Sequence, residues 1–439
     1  MNLPVDQVES IGHCGHNRPK DTRCREPIDL IQVKNRGRVS AHANPGASSL
    51  CGWCPRPLAA GWGACGGSAG RHIIASRNVS PPPPLSVTLT MDRAARRPIA
   101  IWLMVCSAMI LAILVVGGVT RLTHSGLSIV EWQPIVGVIP PLDQAQWEET
   151  FDKYRRTPEF EKVNHQMTLE EFKGIFYWEY WHRVLGRLIG IVFLLPFLFF
   201  WLRRRIEPGL VPKLAGIFVL GGLQGAMGWY MVQSGLVDDP RVSHYRLTAH
   251  LSLAFLLFFA MFWLALGLFA RRADQAPSAM LRGLQRFGFW LTILVAFMVV
   301  TGGFVAGIRA GKAYNTFPLM QGHFMPPESF LLDPWYLNFF NNMALVQFNH
   351  RLGAWLLAFL VPWFCWKLRS ASVSRAAGVA AALLLLAVAV QIGLGIATLL
   401  LSVPVALGAA HQGWAMVVFG LLLWVNHELR VDRAAGYAA

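Results

Sequence analysis

Four histidines lie in or beside long apolar segments of this chain, and their sequence surroundings match in pairs. His182 and His350 are each followed by arginine, whereas His250 and His411 are each preceded by alanine. An imidazole buried in a bilayer is costly without a partner, so an ionisable residue there predicts a functional site. One such histidine could simply bond a neighbouring helix, but four in matching positions indicate ligands.

The chemistry that suits these histidines is haem ligation. A planar macrocycle with an iron at its centre needs two axial donors from facing helices, and four histidines supply two such pairs. Zinc fits less well, because no cysteine or third histidine joins either pair. One iron or copper ion held by all four histidines remains an alternative.

Three charged residues stand close to these histidines. Arg183 and Arg351 follow His182 and His350 and are predicted to pair with haem propionates, with snorkelling of the side chain to water as the alternative. Glu179 precedes His182 by three residues, on the same face of a helix that extends so far. It is either an interfacial carboxylate in water or a group beside the haem that takes up a proton or stabilises developing positive charge.

The composition places these residues in a membrane protein. Of 439 residues 54% are hydrophobic and only 14% are charged, which excludes an ordinary soluble protein. The apolar residues form runs near or above the roughly 20 residues that span a bilayer core. Eight spans are predicted, at residues 99–119, 184–202, 211–232, 247–270, 287–308, 345–366, 377–401 and 405–425.

The spans divide into two similar halves of four. Val116-Gly-Gly in the first span resembles Thr301-Gly-Gly in the fifth, and the paired histidine motifs follow in the same order. Because four is an even number, the halves form a parallel repeat. His182 then corresponds to His350, and His250 to His411. The Gly-rich third and seventh spans are interpreted as sites of close helix packing.

The two halves are expected to differ in the residue that precedes the first histidine of each pair. We assign Val346 of the second half to the position of Glu179, so that only the first half carries a carboxylate. This difference predicts chemistry in the first half and electron handling in the second. Each of the four histidines is expected within about two turns of the start of an even-numbered span, at similar depth. His244 is expected in a loop, and His124, His165, His323 and His427 in solvent.

Charge predicts the topology. The net charge of +15 comes largely from Lys and Arg in alternate connections, whereas the long connection at residues 120–180 is acidic. This distribution is the positive-inside pattern rather than a nucleic-acid surface, and it places both termini in the cytoplasm. The fold class is therefore an all-α integral membrane protein of eight helices, built as two parallel-repeat four-helix bundles.

Residues 1–90 differ from the rest in being rich in Gly, Pro, Ser and Arg, and they contain no apolar run long enough to insert. We interpret them as a disordered or mis-assigned extension, followed by halves at residues 91–275 and 276–439. Cys51 and Cys54 lack a second pair that would complete a zinc site. Cys106 and Cys365 fall within spans, which leaves the outer loops without a disulfide or a cysteine redox pair.

From about Ile101 to its end the chain resembles the haem A synthases of alphaproteobacteria and mitochondria. The resemblance covers none of residues 1–90. It rests on the four histidines and on four strings, Thr120-Arg-Leu-Thr-His-Ser-Gly-Leu-Ser-Ile, Trp132-Gln-Pro-Ile, Glu171-Phe-Lys-Gly-Ile-Phe-Tyr-Trp-Glu-Tyr-Trp-His-Arg183 and Asn315-Thr-Phe-Pro-Leu-Met320.

The resemblance implies an oxidoreductase that oxidises the C8 methyl of haem O to a formyl group by successive hydroxylations. It implies a resident haem b on His350 and His411, and a substrate site at His182 and His250 with Glu179. It also implies partnership with a haem O synthase and an electron donor. The expected location is the bacterial inner membrane, with the mitochondrial inner membrane as the alternative, and a homo-oligomer stays open. Some relatives carry a cysteine pair in the first outer loop, which this chain lacks.

Two other classes compete with the enzyme. An electron-transfer cytochrome with two permanent b haems would use the same histidines. A transporter would fit the parallel repeat, but the chain shows no pair of Gly- or Pro-broken helices near the midplane.

Overall fold

The structure is a computed structural model that describes residues 93–132, 137–237, 239–270, 278–371 and 373–431. The predicted extension at residues 1–90 and its cysteine pair lie outside these residues. The described residues belong to one compact unit, Pro84–Ala439. They are almost entirely helical, and the strand structure among them is limited to one bridge between Met320 and His323.

Eleven α-helices form within the described ranges. They are α1 (Arg93–Leu122), α2 (Gln144–Arg155), α3 (Pro158–Lys162), α4 (Leu169–Leu202), α5 (Val211–Gln233), α6 (His244–Phe269), α7 (Ala279–Gly307), α8 (Asn338–Asn341), α9 (Met343–Arg369), α10 (Arg375–Leu400) and α11 (Val405–Val431). Eight of these, all but α2, α3 and α8, are long and apolar enough to cross a membrane. The prediction of eight spans is therefore confirmed for the described chain.

Four helices lie at the centre, and two pairs flank them. Helices α1, α6, α7 and α11 contact one another, with α1 against α6 and α11, and α7 against α6 and α11. The pair α4 and α5 packs on α1 and α6, and the pair α9 and α10 packs on α7 and α11. Large side chains such as Leu103, Met261, Leu291 and Met416 are fully buried among the helices. Such packing holds helices together where lipid supplies no hydrophobic drive.

Helix α4 begins much earlier than its apolar run. Its first turn is a capping box, in which the Thr168 hydroxyl accepts from Glu171 N and the Glu171 carboxylate accepts from Thr168 N at 2.8 Å. The predicted start was 15 residues later, because the segment between contains charged residues. His182 is consequently the fourteenth residue of α4, and its expected position within two turns of a helix start is wrong.

The acidic connection between α1 and α4 is folded. Helix α2 packs against α4, and α3 packs against α2. We call these two helices, together with residues 169–180 of α4, the cap. Its core is a cluster of buried aromatic side chains, and the tilted rings of Phe151 and Phe172 have centroids 5.0 Å apart. The cluster consists of Trp147, Phe151, Tyr154, Phe172 and Phe176.

Candidate functional site

Each of the four predicted ligands packs against a glycine of the preceding long helix. A Cβ atom added at that glycine would lie 2.8–3.2 Å from the histidine Cε1, closer than side chains normally approach. The pairs are His182 with Gly117, His250 with Gly228, His350 with Gly302 and His411 with Gly395. Only glycine lets the imidazole lie this close to the neighbouring backbone, so each ring is positioned by a residue without a side chain.

The histidines are brought together in pairs. His182 interacts electrostatically with His250, and His350 with His411. The described residues contain no group of three or more His, Cys, Asp or Glu side chains able to hold a metal ion. The alternative of one ion bound by all four histidines is therefore not supported, whereas two separate pairs remain.

The hydrogen bonding of the ring nitrogen Nδ1 differs among the four histidines. Nδ1 is buried without a hydrogen-bond partner in His182, His250 and His411. In His350, Nδ1 lies 2.9 Å from the hydroxyl of Thr301. In a histidine that ligates a metal through Nε2, the surroundings of Nδ1 fix the tautomer and the orientation of the ring, so the two kinds of site differ in how their rings are oriented.

Glu179 is buried in protein, only 3% exposed, and is not an interfacial carboxylate in water. One oxygen, Oε2, accepts hydrogen bonds from Ser128 Oγ at 2.7 Å and Ile129 N at 2.8 Å. The other, Oε1, accepts from Arg183 Nε at 3.0 Å and forms an ion pair with Arg183 Nη2 at 2.7 Å. Four donors thus hold this carboxylate, which lies on the same helix as His182.

The two arginines bond protein acceptors. Arg183 donates to Glu179 and to the carbonyls of Glu131 and Ile129, at 3.0 and 2.7 Å. Arg351 donates to the carbonyls of Tyr314 and Thr316, at 2.9 and 2.8 Å. Each arginine therefore ties the connection before its helix to the histidine-bearing helix. Propionate pairing by Arg183 and Arg351 stays a prediction.

The assignment of Val346 as the counterpart of Glu179 is wrong. Glu179 precedes His182 by three residues, and the residue three before His350 is Gln347. Gln347 Oε1 accepts from Arg351 Nη2 at 2.8 Å, as Glu179 accepts from Arg183, and it is 2% exposed. The halves therefore share one arrangement, and they differ in that the first has a carboxylate where the second has a neutral amide.

The second glycine of each Gly-Gly pair connects the halves. A Cβ at Gly118 of α1 would lie 3.6 Å from Cα of Ala409, two residues before His411. A Cβ at Gly303 of α7 would lie 2.9 Å from the hydroxyl of Thr248, two residues before His250. One glycine of each pair thus packs on a histidine of its own half, and the next packs beside a histidine of the other half.

Two side chains next to the histidines were missed in the sequence. Gln224 Nε2 lies 3.5 Å from His250 Nε2, at the limit of a hydrogen bond. Gln412, adjacent to His411, donates to the carbonyl of Leu114 at 2.8 Å and so joins α11 to α1. The signal that could have found Gln224 is its position four residues before Gly228, the glycine under His250.

Two of the remaining histidines are not where they were predicted. His244 is the first residue of α6 rather than a loop residue, and its ring packs near Phe304 at 6.1 Å. His427 lies within α11, 7% exposed, with its ring 5.4 Å from that of Trp263, so its expected solvation is wrong. His124, His165 and His323 are exposed as predicted.

A second buried carboxylate lies in the cap. Glu159 of α3 is 4% exposed and accepts from the Tyr154 hydroxyl at 3.3 Å, and Asn164 Nδ2 donates to the same hydroxyl at 2.8 Å. Burial, chiefly, raises the pKa of Glu159 from 4.5 to about 7; the charge of Glu179 adds to this, while Tyr154 and Arg309 oppose it. Glu159 therefore titrates near neutral pH.

Comparison with known proteins shows which family this chain is related to. Residues 100–423 match the model of a family described as cytochrome oxidase assembly protein. The chain is 61% identical over 337 residues to a heme A synthase of Nitrosospira multiformis, covering 77% of this chain and 95% of that protein. It is 56% identical to a heme A synthase of Nitrosomonas eutropha, over 76% of this chain and 94% of the relative.

A relative from Rhodospirillum centenum, also a heme A synthase, is 50% identical over 77% of this chain and 90% of its own length. The family match, residues 100–423, begins after the predicted extension and includes all four histidines. The chain belongs to the haem A synthase family of cytochrome oxidase assembly proteins.

Proposed function

We propose that this protein oxidises the C8 methyl of haem O to a formyl group through successive hydroxylations, yielding haem A for cytochrome oxidase. The observation that carries the proposal is the pair of like histidine sites, of which one has a buried carboxylate beside it and the other an amide. Two permanent cofactors of equal function would not need that difference. The relatives named heme A synthase support the same activity.

The donor set fits haem. Each pair offers two imidazoles, their rings are held against glycine backbone, and no third donor joins either pair among the described residues. We assign His350 and His411 to a resident haem b, and His182 and His250 to the substrate haem. When bound, the iron supplies the redox chemistry of the reaction.

Glu179 is proposed to handle charge at the substrate site. Four donors hold the carboxylate in place, and its oxygens are able to take up a proton released near the methyl group or to stabilise positive charge that develops there. Arg183 orients the carboxylate through two hydrogen bonds, from Nε at 3.0 Å and Nη2 at 2.7 Å. Gln347 cannot perform this role because an amide does not ionise.

The proposed architecture places residues 91–275 and 276–439 as two four-helix bundles in parallel repeat. Helix contacts support it, since α1, α4, α5 and α6 contact in a ring, as do α7, α9, α10 and α11. With both termini cytoplasmic by the positive-inside rule, the cap lies on the outer face of a bacterial inner membrane. A haem O synthase and an electron donor are the expected partners.

Pigment analysis tests the function. The full chain is expressed with and without a haem O synthase, and the haems of cells and purified protein are extracted and identified by mass. Haem A formed only with the synthase, together with one tightly bound haem b and variable haem O or A, is the expected result. Two stoichiometric haems b with no haem A would identify an electron-transfer cytochrome and refute the proposal.

A further inference from the structure

Thr301 makes a contact with His350 that none of the other three histidines has. Its hydroxyl lies 2.9 Å from Nδ1 of His350 and also donates to the carbonyl of Met298 at 3.1 Å. A hydroxyl has one proton, and a carbonyl only accepts, so when that proton is on the bond to Met298 the hydroxyl accepts from Nδ1–H of His350. In that tautomer the Nε2 lone pair is free for a metal.

The corresponding rings lack this contact. At His182, His250 and His411 the backbones of Ile113, Gln224 and Gln391 lie close, yet nothing meets hydrogen-bond geometry at Nδ1. The repeat places Val116 at the position of Thr301, because each precedes the glycine under its histidine. Valine has nearly the shape of threonine without the hydroxyl.

A threonine in a membrane helix often bonds a carbonyl of its own helix, and Thr301 does so with Met298. This tendency explains the bond to Met298. It does not explain why the hydroxyl lies 2.9 Å from the His350 ring on another helix. Thr301 is 8% exposed, so water does not replace the hydroxyl at Nδ1.

We propose that Thr301 is a positioning residue that fixes the Nδ1–H tautomer of His350, retains the resident haem and lowers its reduction potential. A hydrogen bond accepted from a ligating histidine fixes its orientation and raises its basicity, which favours the oxidised iron. Val116 offers no side-chain acceptor to His182, whose ring lies near the backbone of Ile113 instead. The inference rests on the proposed assignment of haem b to His350 and His411.

The test uses the full-length protein purified with its haem b. Thr301→Val removes the hydroxyl and keeps the shape, Thr301→Ser restores the hydroxyl, and Val116→Thr installs one at the substrate site. The midpoint potential is measured by optical redox titration, and haem retention by transfer to apomyoglobin.

In Thr301→Val the ratio of reduced to oxidised haem b at a fixed potential should rise up to about tenfold, equal to about 59 mV for one electron. Haem loss should be faster by about tenfold or more. Thr301→Ser should match the parent protein within about twofold in both measurements. Val116→Thr should leave haem b unchanged and increase the haem O or A that copurifies.

Equal potentials in the parent and Thr301→Val, or a Ser variant that behaves as the Val variant, would overturn the inference while the proposed function stands. Absence of haem b from the parent protein would overturn both. If Thr301→Val does not fold, Thr301→Ala replaces it in the comparison with Thr301→Ser. A potential equal to that of the parent, or equal behaviour of the Ala and Ser variants, would then overturn the inference.

Discussion

Helices α4 and α9 present two versions of one histidine site. In each, a histidine packs on a glycine of the preceding long helix. The arginine directly after the histidine bonds the side chain of the residue three before the histidine. That side chain is Glu179 in the first half and Gln347 in the second. The comparison teaches that a scaffold for binding can be kept while a single change from amide to carboxylate adds a group able to exchange a proton.

The largest expected effect separates the two sites by ligand removal. His350→Ala or His411→Ala should abolish the b-type absorption spectrum of the purified protein, because a bis-histidine haem loses one of two axial ligands. His182→Ala is the matched control and should retain that spectrum while losing haem A formation. A normal b-type spectrum in His350→Ala would show that the resident haem is elsewhere.

The next largest effect is expected from removal of the Glu179 carboxylate. Glu179→Ala should leave haem b bound and lower haem A formation by about 10²- to 10⁴-fold, the range typical of a lost acid–base group, or trap a hydroxylated product. Haem products are measured by chromatography and mass analysis. Gln347→Ala is the control in the other half and should leave product formation within about tenfold of the parent. Normal haem A yield from Glu179→Ala would refute its role.

The glycines give a smaller, graded effect. The added Cβ would lie 2.8 Å from His182 Cε1 in Gly117→Ala and 3.2 Å from His350 Cε1 in Gly302→Ala. Overpacking of this kind costs about 1–3 kcal/mol, so substrate turnover should fall in the first variant and haem b content, less severely, in the second. Gly190→Ala on α4, where nothing lies within 4 Å, is the control. Equal behaviour of all three variants would contradict the positioning role.

The smallest effect is a pH dependence confined to the cap. Because the pKa of Glu159 is near 4.5 unfolded and about 7 folded, the folded cap binds the extra proton between these values and loses stability as pH rises through them. Glu159→Gln should be more stable than the parent at pH 8, by at most about 3 kcal/mol, and similar at pH 4.

Hydrogen exchange of residues 144–176 at the two pH values measures this difference. Thr150→Ala, which removes only a solvent-exposed hydrogen bond to Gln146 on α2, is a control that should preserve the pH dependence of the parent. A parent cap whose exchange rates, corrected for intrinsic chemistry, do not depend on pH would contradict the raised pKa of Glu159.

The spans and the family could be predicted because apolar runs and long motifs are local properties of the sequence. The start of α4 could not be predicted from hydropathy, since Glu170, Glu171 and Lys173 interrupt the pattern, although the Thr168–Glu171 capping box was present as a signal. The burial of Glu179 depends on Ser128 and Ile129, about 50 residues earlier, and this contact exists only in the folded chain.

The glycine contacts show a second reason why the site could not be predicted fully from the sequence. Gly228 and Gly395 were interpreted as helix packing, which is correct as far as it goes, but which side chain they pack against depends on how the helices are rotated. The counterpart of Glu179 could have been predicted correctly from the sequence, because Gln347, and not Val346, precedes His350 by the three residues that separate Glu179 from His182. The unequal hydrogen bonding at Nδ1 required the positions of four rings relative to their neighbouring helices.

Helix α4 has 34 residues and at about 1.5 Å per residue is about 51 Å long, well beyond the roughly 30 Å of a hydrocarbon core. Phe172 and Phe176 of the aromatic cluster and His182 are therefore parts of one continuous helix. A change in the cap that altered the direction of α4 would also reorient the His182 ring.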